Sequence, residues 1–154
     1  PYKNVDKAVE ACNELGKKLL VIGRGPEKER LEALAGPTVR IASGVSDAQL
    51  RYAYRHCLAL LAISYEDFGI TPLEAGASGK AVIAYRAGGF LDTIQEGKTG
   101  MFINQPTVEQ LVEALKAFNP DDWDADYIRE HVDGFSEARF ISRLKTYVHA
   151  LPED

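Results

Sequence analysis

Cysteine, histidine and tryptophan are scarce in this sequence of 154 residues, which contains two, three and one of them respectively. The two cysteines, Cys12 and Cys57, make neither a disulfide framework nor the spacing of a thiolate metal site. Both fall on the apolar faces of predicted helices, so we expect buried, reduced thiols. The histidines are scattered over helices without ligand spacing, at His56, His131 and His149. We therefore expect neither a metal ion nor another cofactor.

Long apolar runs and blocks of positive charge are also missing. The longest apolar run, residues 58–63, is far too short to span a bilayer, and no signal peptide opens the chain. We therefore expect a soluble, cytoplasmic protein. The 18 Lys and Arg residues against 23 Asp and Glu residues give a net charge of −5, without a basic arm or cluster. This balance argues against nucleic acid as a partner.

The spacing of apolar residues predicts helices and strands along the whole chain. Residues 5–15 follow the helical i, i+3, i+4 pattern, with Asn4 as a candidate N-cap and Gly16 just past the end. Ser46 and Gln49 form a predicted capping box at the start of another helix. Predicted strands cover residues 19–22, 39–41, 58–63, 81–84 and 101–103. Further predicted helices cover residues 27–35, 47–57, 71–78, 91–96, 107–118, 123–132 and 137–151.

This alternation of strands and helices favours one doubly wound α/β domain with a parallel, Rossmann-like sheet. Its core covers about residues 1–105, and a helical tail follows over about residues 106–154. Ligands of such domains bind at the carboxyl ends of the strands, where Gly23 and the loops 43–45, 65–69 and 86–89 should gather. The last helix carries an apolar stripe that we expect to be part of the core, with docking on another domain as the alternative. The stripe consists of Phe140, Leu144, Tyr147, Val148 and Leu151.

The chain reaches its first predicted helix without a strand before it. Doubly wound domains normally open with a strand, and in the strand order 3-2-1-4-5-6 that strand is central. We therefore expect the first strand to be missing from this chain, either because another chain supplies it or because upstream residues were removed. Its loss should split the sheet, leave backbone groups on two strands unpaired, and leave the fragment unstable alone.

Residues 65–79 are the most informative stretch of the sequence. Glu66 and Glu74 flank a glycine turn at Gly69, and Pro72 fits the first turn of the helix that follows. Free backbone N–H groups and the positive end of the helix dipole favour an anion such as a diphosphate. Carboxylates accept hydrogen bonds from sugar hydroxyls. Together they indicate a nucleotide sugar, although the glutamates could instead be solvated charges that support only the loop and the first helical turn.

This stretch resembles the Glu-x7-Glu motif of retaining glycosyltransferases with the GT-B fold. That large family includes bacterial mannosyl- and glucosyltransferases and sucrose and glycogen synthases. Beyond the two glutamates, the likeness covers residues 3–6, 23–25, 68–70, 74–75, Gly79, 81–85, 88–89 and 97–100. The resemblance implies a C-terminal donor-binding domain, most similar to bacterial mannosyltransferases that build surface polysaccharides. It also implies an N-terminal acceptor-binding domain, which this chain does not contain.

The resemblance also implies a role for individual residues. Lys3 would contact the donor diphosphate, Glu66 would lie near the anomeric centre, and Glu74 would bind the ribose hydroxyls. The remaining implied donor contacts are a glycine loop, a wall beside the base and the turn before the helix. They comprise Gly23, Gly25, Val45, Asp67, Phe68, Gly69, Ile70 and Thr71. The implied reaction transfers a hexose, with mannose preferred, from a GDP- or UDP-linked donor with retention of anomeric configuration.

Two alternatives to this interpretation remain open. The chain could be a non-catalytic nucleotide-binding or interaction domain of the same fold. A dinucleotide-dependent oxidoreductase is less favoured, because the loop over residues 23–26 lacks the third glycine of Gly-x-Gly-x-x-Gly. The cellular site is a separate matter, since the full-length protein could contact the inner face of a membrane through its lipid-linked acceptor. This chain alone is expected to be inactive, since acceptor selection belongs to the other domain.

Overall fold

The computed structural model describes residues 3–149, and Pro1, Tyr2 and residues 150–154 lie outside the described part. Helices and strands alternate up to the last strand, as the apolar spacing predicts. The strands are β1 (Leu19–Ile22), β2 (Val39–Ala42), β3 (Leu60–Ala62), β4 (Val82–Tyr85) and β5 (Gly100–Ile103). The helices are α1 (Val5–Leu15), α2 (Lys28–Leu34), α3 (Asp47–His56), α4 (Ile70–Ala77), α5 (Phe90–Thr93), α6 (Val108–Ala117), α7 (Ala125–Asp133) and α8 (Glu137–His149). One turn of 3-10 helix, Pro120–Asp122, precedes α7.

The predicted cap residues lie at the ends of their helices. Gly16 ends α1 in the left-handed conformation, with φ of 62°. The capping box of α3 is present, with the Ser46 side chain accepting from Gln49 N and Gln49 Oε1 accepting from Ser46 N. Asn4 occupies the predicted N-cap position of α1, but its side chain makes no cap hydrogen bond to the helix. Instead Asn4 Nδ2 donates to the carbonyl oxygen of Ile63 at 2.8 Å, which ties the start of α1 to the end of β3.

Within residues 3–149 the strands form two parallel sheets, not one continuous sheet. One sheet has the order β1-β2 and the other the order β3-β4-β5. Leu19 pairs with Val39 in the first sheet, and Ile83 pairs with Met101 in the second. The two sheets are therefore not joined by a ladder of hydrogen bonds, as expected for a doubly wound sheet whose central strand is not among these five.

Helices cover both faces of the three-stranded sheet, which confirms the doubly wound α/β prediction. On one face Ile83 packs in a buried cluster with residues of α1 and α6, among them Ala11 and Leu111. On the opposite face its neighbours Val82 and Ala84 pack in a second cluster around Phe90 of α5. Side chains that alternate between two buried faces are characteristic of a parallel sheet covered on both sides.

The tail helix α8 departs from the expected packing. Its apolar residues were predicted to join the core, but four of them are 50–74% exposed: Phe140, Leu144, Tyr147 and Val148. The fifth, Leu151, lies outside the described residues. Amphipathic spacing shows that one side of a helix is apolar but not which surface covers it, and within residues 3–149 no side chain of α8 is buried. No helix of this part of the chain is both long and apolar enough to cross a membrane.

The two cysteines occupy different environments, so the prediction of two buried thiols is correct for only one of them. Cys12 is buried in α1, whereas Cys57 is half-buried and follows the last residue of α3. Burial raises the pKa of both thiols. Since a thiolate is the reactive form, we expect iodoacetamide to alkylate Cys57 slowly at pH 7 and faster as the pH rises. Mass spectrometry should find Cys12 unmodified until the protein is unfolded, and equal labelling of both would contradict this assignment.

Candidate donor site at the carboxyl end of the three-stranded sheet

Two loops at the carboxyl end of the three-stranded sheet pack directly against each other. The loop after β3 carries Glu66 and Phe68, and the loop after β4 carries Gly88 and Gly89. Gly89 N donates to the Glu66 carbonyl oxygen at 2.8 Å. A Cβ atom at Gly88 would overlap the Glu66 carbonyl oxygen, and one at Gly89 would overlap the Phe68 backbone. The paired glycines therefore allow the close approach that fixes the backbone on which Glu66 stands.

The side chain of Glu66 is held by a cation and by a hydroxyl group. Lys3 Nζ lies 3.3 Å from Glu66 Oε1, with the side chains 58% and 29% exposed. Ser64 is buried two residues after β3, and its hydroxyl donates to the same Glu66 oxygen at 2.8 Å. Both partners engage Oε1, so within residues 3–149 Oε2 is left without a hydrogen bond. The structure thus brings the predicted pair Lys3 and Glu66 together.

The start of α4 matches the turn expected from the sequence. Gly69 precedes the helix with φ of 79°, a left-handed conformation that glycine adopts without strain. Pro72 lies in the first turn, and no side chain caps this end of the helix. The first N–H groups of a helix have no partner within it, so those of Ile70 and Thr71 are left for water or a ligand. This end can therefore accept an anion.

Exposed side chains surround this turn. Phe68 and Ile70 are 53% and 62% exposed, and Asp67 and Thr71 are also exposed, whereas Gly69 itself is buried. Gly69 lies against the ring of Phe90, so close that a Cβ atom added to Gly69 would be 2.6 Å from Phe90 Cδ1. The buried core of the domain thus supports the backbone of the turn, while its side chains remain accessible.

Glu74 lies on α4 and contacts the neighbouring helix α3. Tyr54 Oη donates to Glu74 Oε2 at 2.8 Å. Burial, and then the hydrogen bond to Glu74, raises the pKa of Tyr54 well above that of a free tyrosine. The hydroxyl therefore remains a donor at physiological pH. An open groove of about 840 Å³ runs beside this pair, between α3, α4 and α7.

The remaining predicted donor contacts lie on the loops after β1 and β2. Gly23 and Gly25 are exposed, Val45 is half-buried, and a Cβ atom at either glycine would meet no atom within 4 Å. Gly23 N donates to the Ala42 carbonyl oxygen at 3.0 Å, so the two loops adjoin each other. No hydrogen bond or ion pair among the described residues links these loops to Glu66 or Glu74. The predicted site residues therefore form separate groups of protein contacts, which a ligand would have to join.

Sequence reasoning missed two polar residues that hold the glutamates, Ser64 and Tyr54. Ser64 could have been found, because it stands two residues before Glu66 at the end of a strand. Tyr54 is separated from Glu74 by 20 residues and a strand, and no local pattern indicates their contact.

Among residues 3–149 there is no group of three His, Cys, Asp or Glu side chains that could hold a metal ion.

The sequence is similar to one family and to several characterised relatives. The model of the family described as glycosyl transferases group 1 matches residues 1–132. The chain is 35% identical over 113 residues to alpha-1,3/1,6-mannosyltransferase ALG2 of Dictyostelium discoideum, which covers 70% of this chain and 27% of that protein. It is 38% identical over 109 residues to a glycogen synthase of Pseudomonas putida, covering 66% and 21% respectively. A third relative is a GDP-mannose-dependent phosphatidylinositol monomannoside mannosyltransferase of Mycobacterium tuberculosis, 30% identical over 75% of this chain and 34% of that protein.

Solved structures share the fold at lower sequence identity. A sucrose-phosphate synthase from Thermosynechococcus elongatus superposes with a TM-score of 0.83 and 24% identity, over 96% of this chain and 42% of that one. The lipopolysaccharide outer core galactosyltransferase WaaB superposes with a TM-score of 0.82 and 19% identity, over 97% and 46%. These neighbours are GT-B glycosyltransferases, so the predicted fold is confirmed. The chain spans less than half the length of each of them.

Proposed function

Because this chain belongs to the family of group 1 glycosyl transferases, we propose that it binds the nucleotide diphosphate sugar donor of a retaining hexosyltransferase. The observation that carries the proposal is the placement of two glutamates around the uncapped start of α4. Glu66 stands before the helix beside Lys3, and Glu74 lies one turn inside it. Carboxylates suit the hydroxyl groups of the sugar and ribose, and the helix N-terminus suits the diphosphate between them.

The proposed chemistry follows from the charges that develop during sugar transfer. Positive charge develops on the anomeric carbon and negative charge on the leaving phosphate. Lys3 and the free N–H groups at the start of α4 would stabilise the leaving phosphate, and interactions that strengthen in the transition state lower the barrier. Glu66 is held in place by Ser64 and Lys3 and would stand near the anomeric carbon. No metal ion takes part in this scheme.

Mannose is the sugar that we propose. Two relatives of this chain are mannosyltransferases by name, and one of them is GDP-mannose-dependent. Other relatives are glycogen synthases, and these do not support mannose. We further propose that the acceptor is a glycan or a lipid-linked glycan, bound by a second domain of the longer protein, at the cytoplasmic face of a membrane. Retention would be checked by NMR assignment of the anomeric configuration of the product.

Calorimetric titration of the protein with GDP, UDP, ADP, GDP-mannose and NAD tests this proposal. We expect one nucleoside diphosphate to bind selectively, and Glu74→Ala to weaken it by about 1–3 kcal/mol, the value of a lost hydrogen bond to a charged group. Glu14→Ala serves as the matched control, because Glu14 is an exposed glutamate on α1 that forms no ion pair among residues 3–149. It should leave affinity unchanged.

The other outcomes of this titration contradict the proposal in distinguishable ways. Preference for NAD over the other four compounds would revive the oxidoreductase interpretation. A nucleoside diphosphate that binds equally well to Glu74→Ala would place the site elsewhere on the domain. A cooperatively folded protein that binds none of the five compounds would favour a non-catalytic domain of the same fold.

A further inference from the structure

Tyr54 is not among the residues predicted for the donor site, yet it holds one of them. Its hydroxyl donates to Glu74 Oε2 at 2.8 Å across the interface between α3 and α4. Within residues 3–149, Tyr54 is the residue that donates a hydrogen bond to the Glu74 carboxylate. The second carboxylate oxygen, Oε1, has no partner among residues 3–149. One oxygen is thus occupied by the protein, and the other is available as an acceptor.

The two side chains differ in how firmly they are fixed. Glu74 is exposed and its side chain has three rotatable bonds, so without a partner it would sample several rotamers. Tyr54 is half-buried, has two rotatable bonds and stands on a helix whose start is fixed by the Ser46–Gln49 capping box. The tyrosine can therefore limit the positions of the glutamate at a small entropic cost.

A tyrosine also leaves the negative charge of Glu74 intact. Burial and the neighbouring carboxylate raise the pKa of Tyr54, so the hydroxyl stays protonated and neutral. Arg51, Arg55 and Lys80 line the adjacent groove, but within residues 3–149 none of these cations forms an ion pair with Glu74. A cation on Glu74 would reduce its strength as an acceptor, whereas a neutral donor orients it without that loss.

We propose that Tyr54 is a positioning residue for ribose recognition, which holds Glu74 Oε2 so that Oε1 accepts a hydrogen bond from a ribose hydroxyl of the donor. This inference rests on the proposed function of Glu74. It adds a residue of α3 to the site and makes the contact between α3 and α4 part of nucleotide binding. In this scheme Tyr54 acts through Glu74 and does not itself contact the donor.

Tyr54→Phe tests the proposal because it removes the hydroxyl and keeps the ring. GDP, UDP and ADP are titrated beside their 2′-deoxy and 3′-deoxy analogues by calorimetry. We expect Tyr54→Phe to weaken the ribonucleotide that binds by about 3- to 10-fold, the range of one hydrogen bond. The analogue that lacks the hydroxyl bound by Glu74 should lose much less. A thermal melt confirms that the variant remains folded.

Tyr52→Phe is the matched control, because Tyr52 lies on the same helix, is 63% exposed and stacks on His56. Tyr52→Phe should change neither the affinity for the ribonucleotide nor the affinity for its deoxy analogue. Glu74→Ala should abolish the preference for the ribonucleotide, and adding Tyr54→Phe to it should have no further effect, since the hydroxyl would have nothing left to orient.

Three results would overturn the proposal, and they separate it from the proposed function. If Tyr54→Phe weakens the ribonucleotide and its deoxy analogues equally, or adds its full effect to Glu74→Ala, its role is structural while Glu74 remains the ribose ligand. If Glu74→Ala itself leaves the preference for the ribonucleotide unchanged, the proposed function of Glu74 fails, and with it the role of Tyr54.

Discussion

Replacing Phe90 with alanine is expected to lower the free energy of unfolding by about 3–5 kcal/mol, the usual cost of removing a buried phenylalanine ring. Phe90 is fully buried and is the largest side chain of the cluster between α5 and the three-stranded sheet. Its ring also lies against Gly69, so the cavity would open beneath the start of α4. Urea unfolding should show a lower midpoint, and donor affinity should fall with it.

Leu91→Ala is the control for this substitution, because Leu91 is the next residue on the same short helix and is 53% exposed. Its cost should be within about 0.5 kcal/mol, as for most surface positions. Phe90→Leu keeps much of the buried apolar volume and should cost less than Phe90→Ala. Equal losses for Phe90→Ala and Leu91→Ala would show that the ring does not support this part of the core.

Replacing Gly89 with alanine is expected to reduce donor binding at least about tenfold, and to cost about 1–3 kcal/mol of stability or more, as overpacking does. The backbone of Gly89 has φ of −64°, which alanine adopts readily. The effect is therefore steric, since the new Cβ atom would overlap the carbonyl oxygen and Cα of Phe68. Backbone atoms cannot rotate away as side chains do, so the loop that carries Glu66 must shift.

Gly25→Ala separates this steric effect from the general cost of replacing a glycine. No atom lies within 4 Å of a Cβ at Gly25, and its φ is outside the left-handed region. Thermal melts should therefore give Gly25→Ala the stability of the unmodified protein and Gly89→Ala a lower one. An unshifted melt and unchanged nucleotide affinity for Gly89→Ala would contradict the close packing of the two loops.

These substitutions test what holds the two glutamates of the candidate site in place. Phe90 and Gly89 belong to the same short segment after β4, and both act on the backbone between Glu66 and Gly69. Ser64 and Tyr54 instead bind the side chains of the two glutamates. A donor held by these glutamates would depend on packing beneath the turn as much as on the residues that touch it.

The sequence alone was sufficient for most of the secondary structure, and it predicted where a donor site should be sought. Strong apolar spacing placed α1 and β1 at their observed bounds and the other strands within about two residues. The glycine turn at Gly69 and the helix after it were also correct, because φ > 0 and Pro72 in a first turn are local requirements. The roles of the site residues in donor binding stay predictions.

Only the tertiary structure decided which of these parts meet. It placed Gly88 and Gly89 against the Glu66 backbone, Ser64 on Glu66 and Tyr54 on Glu74, and it left α8 exposed where a core helix was expected. It also directed the Asn4 side chain to the Ile63 carbonyl oxygen and not to the N–H groups of α1. Periodicity and turn chemistry depend on neighbours in the chain, and the sequence encodes them locally. Contacts between α3 and α4, or between the loops after β3 and β4, depend on how whole elements pack, which no local pattern specifies.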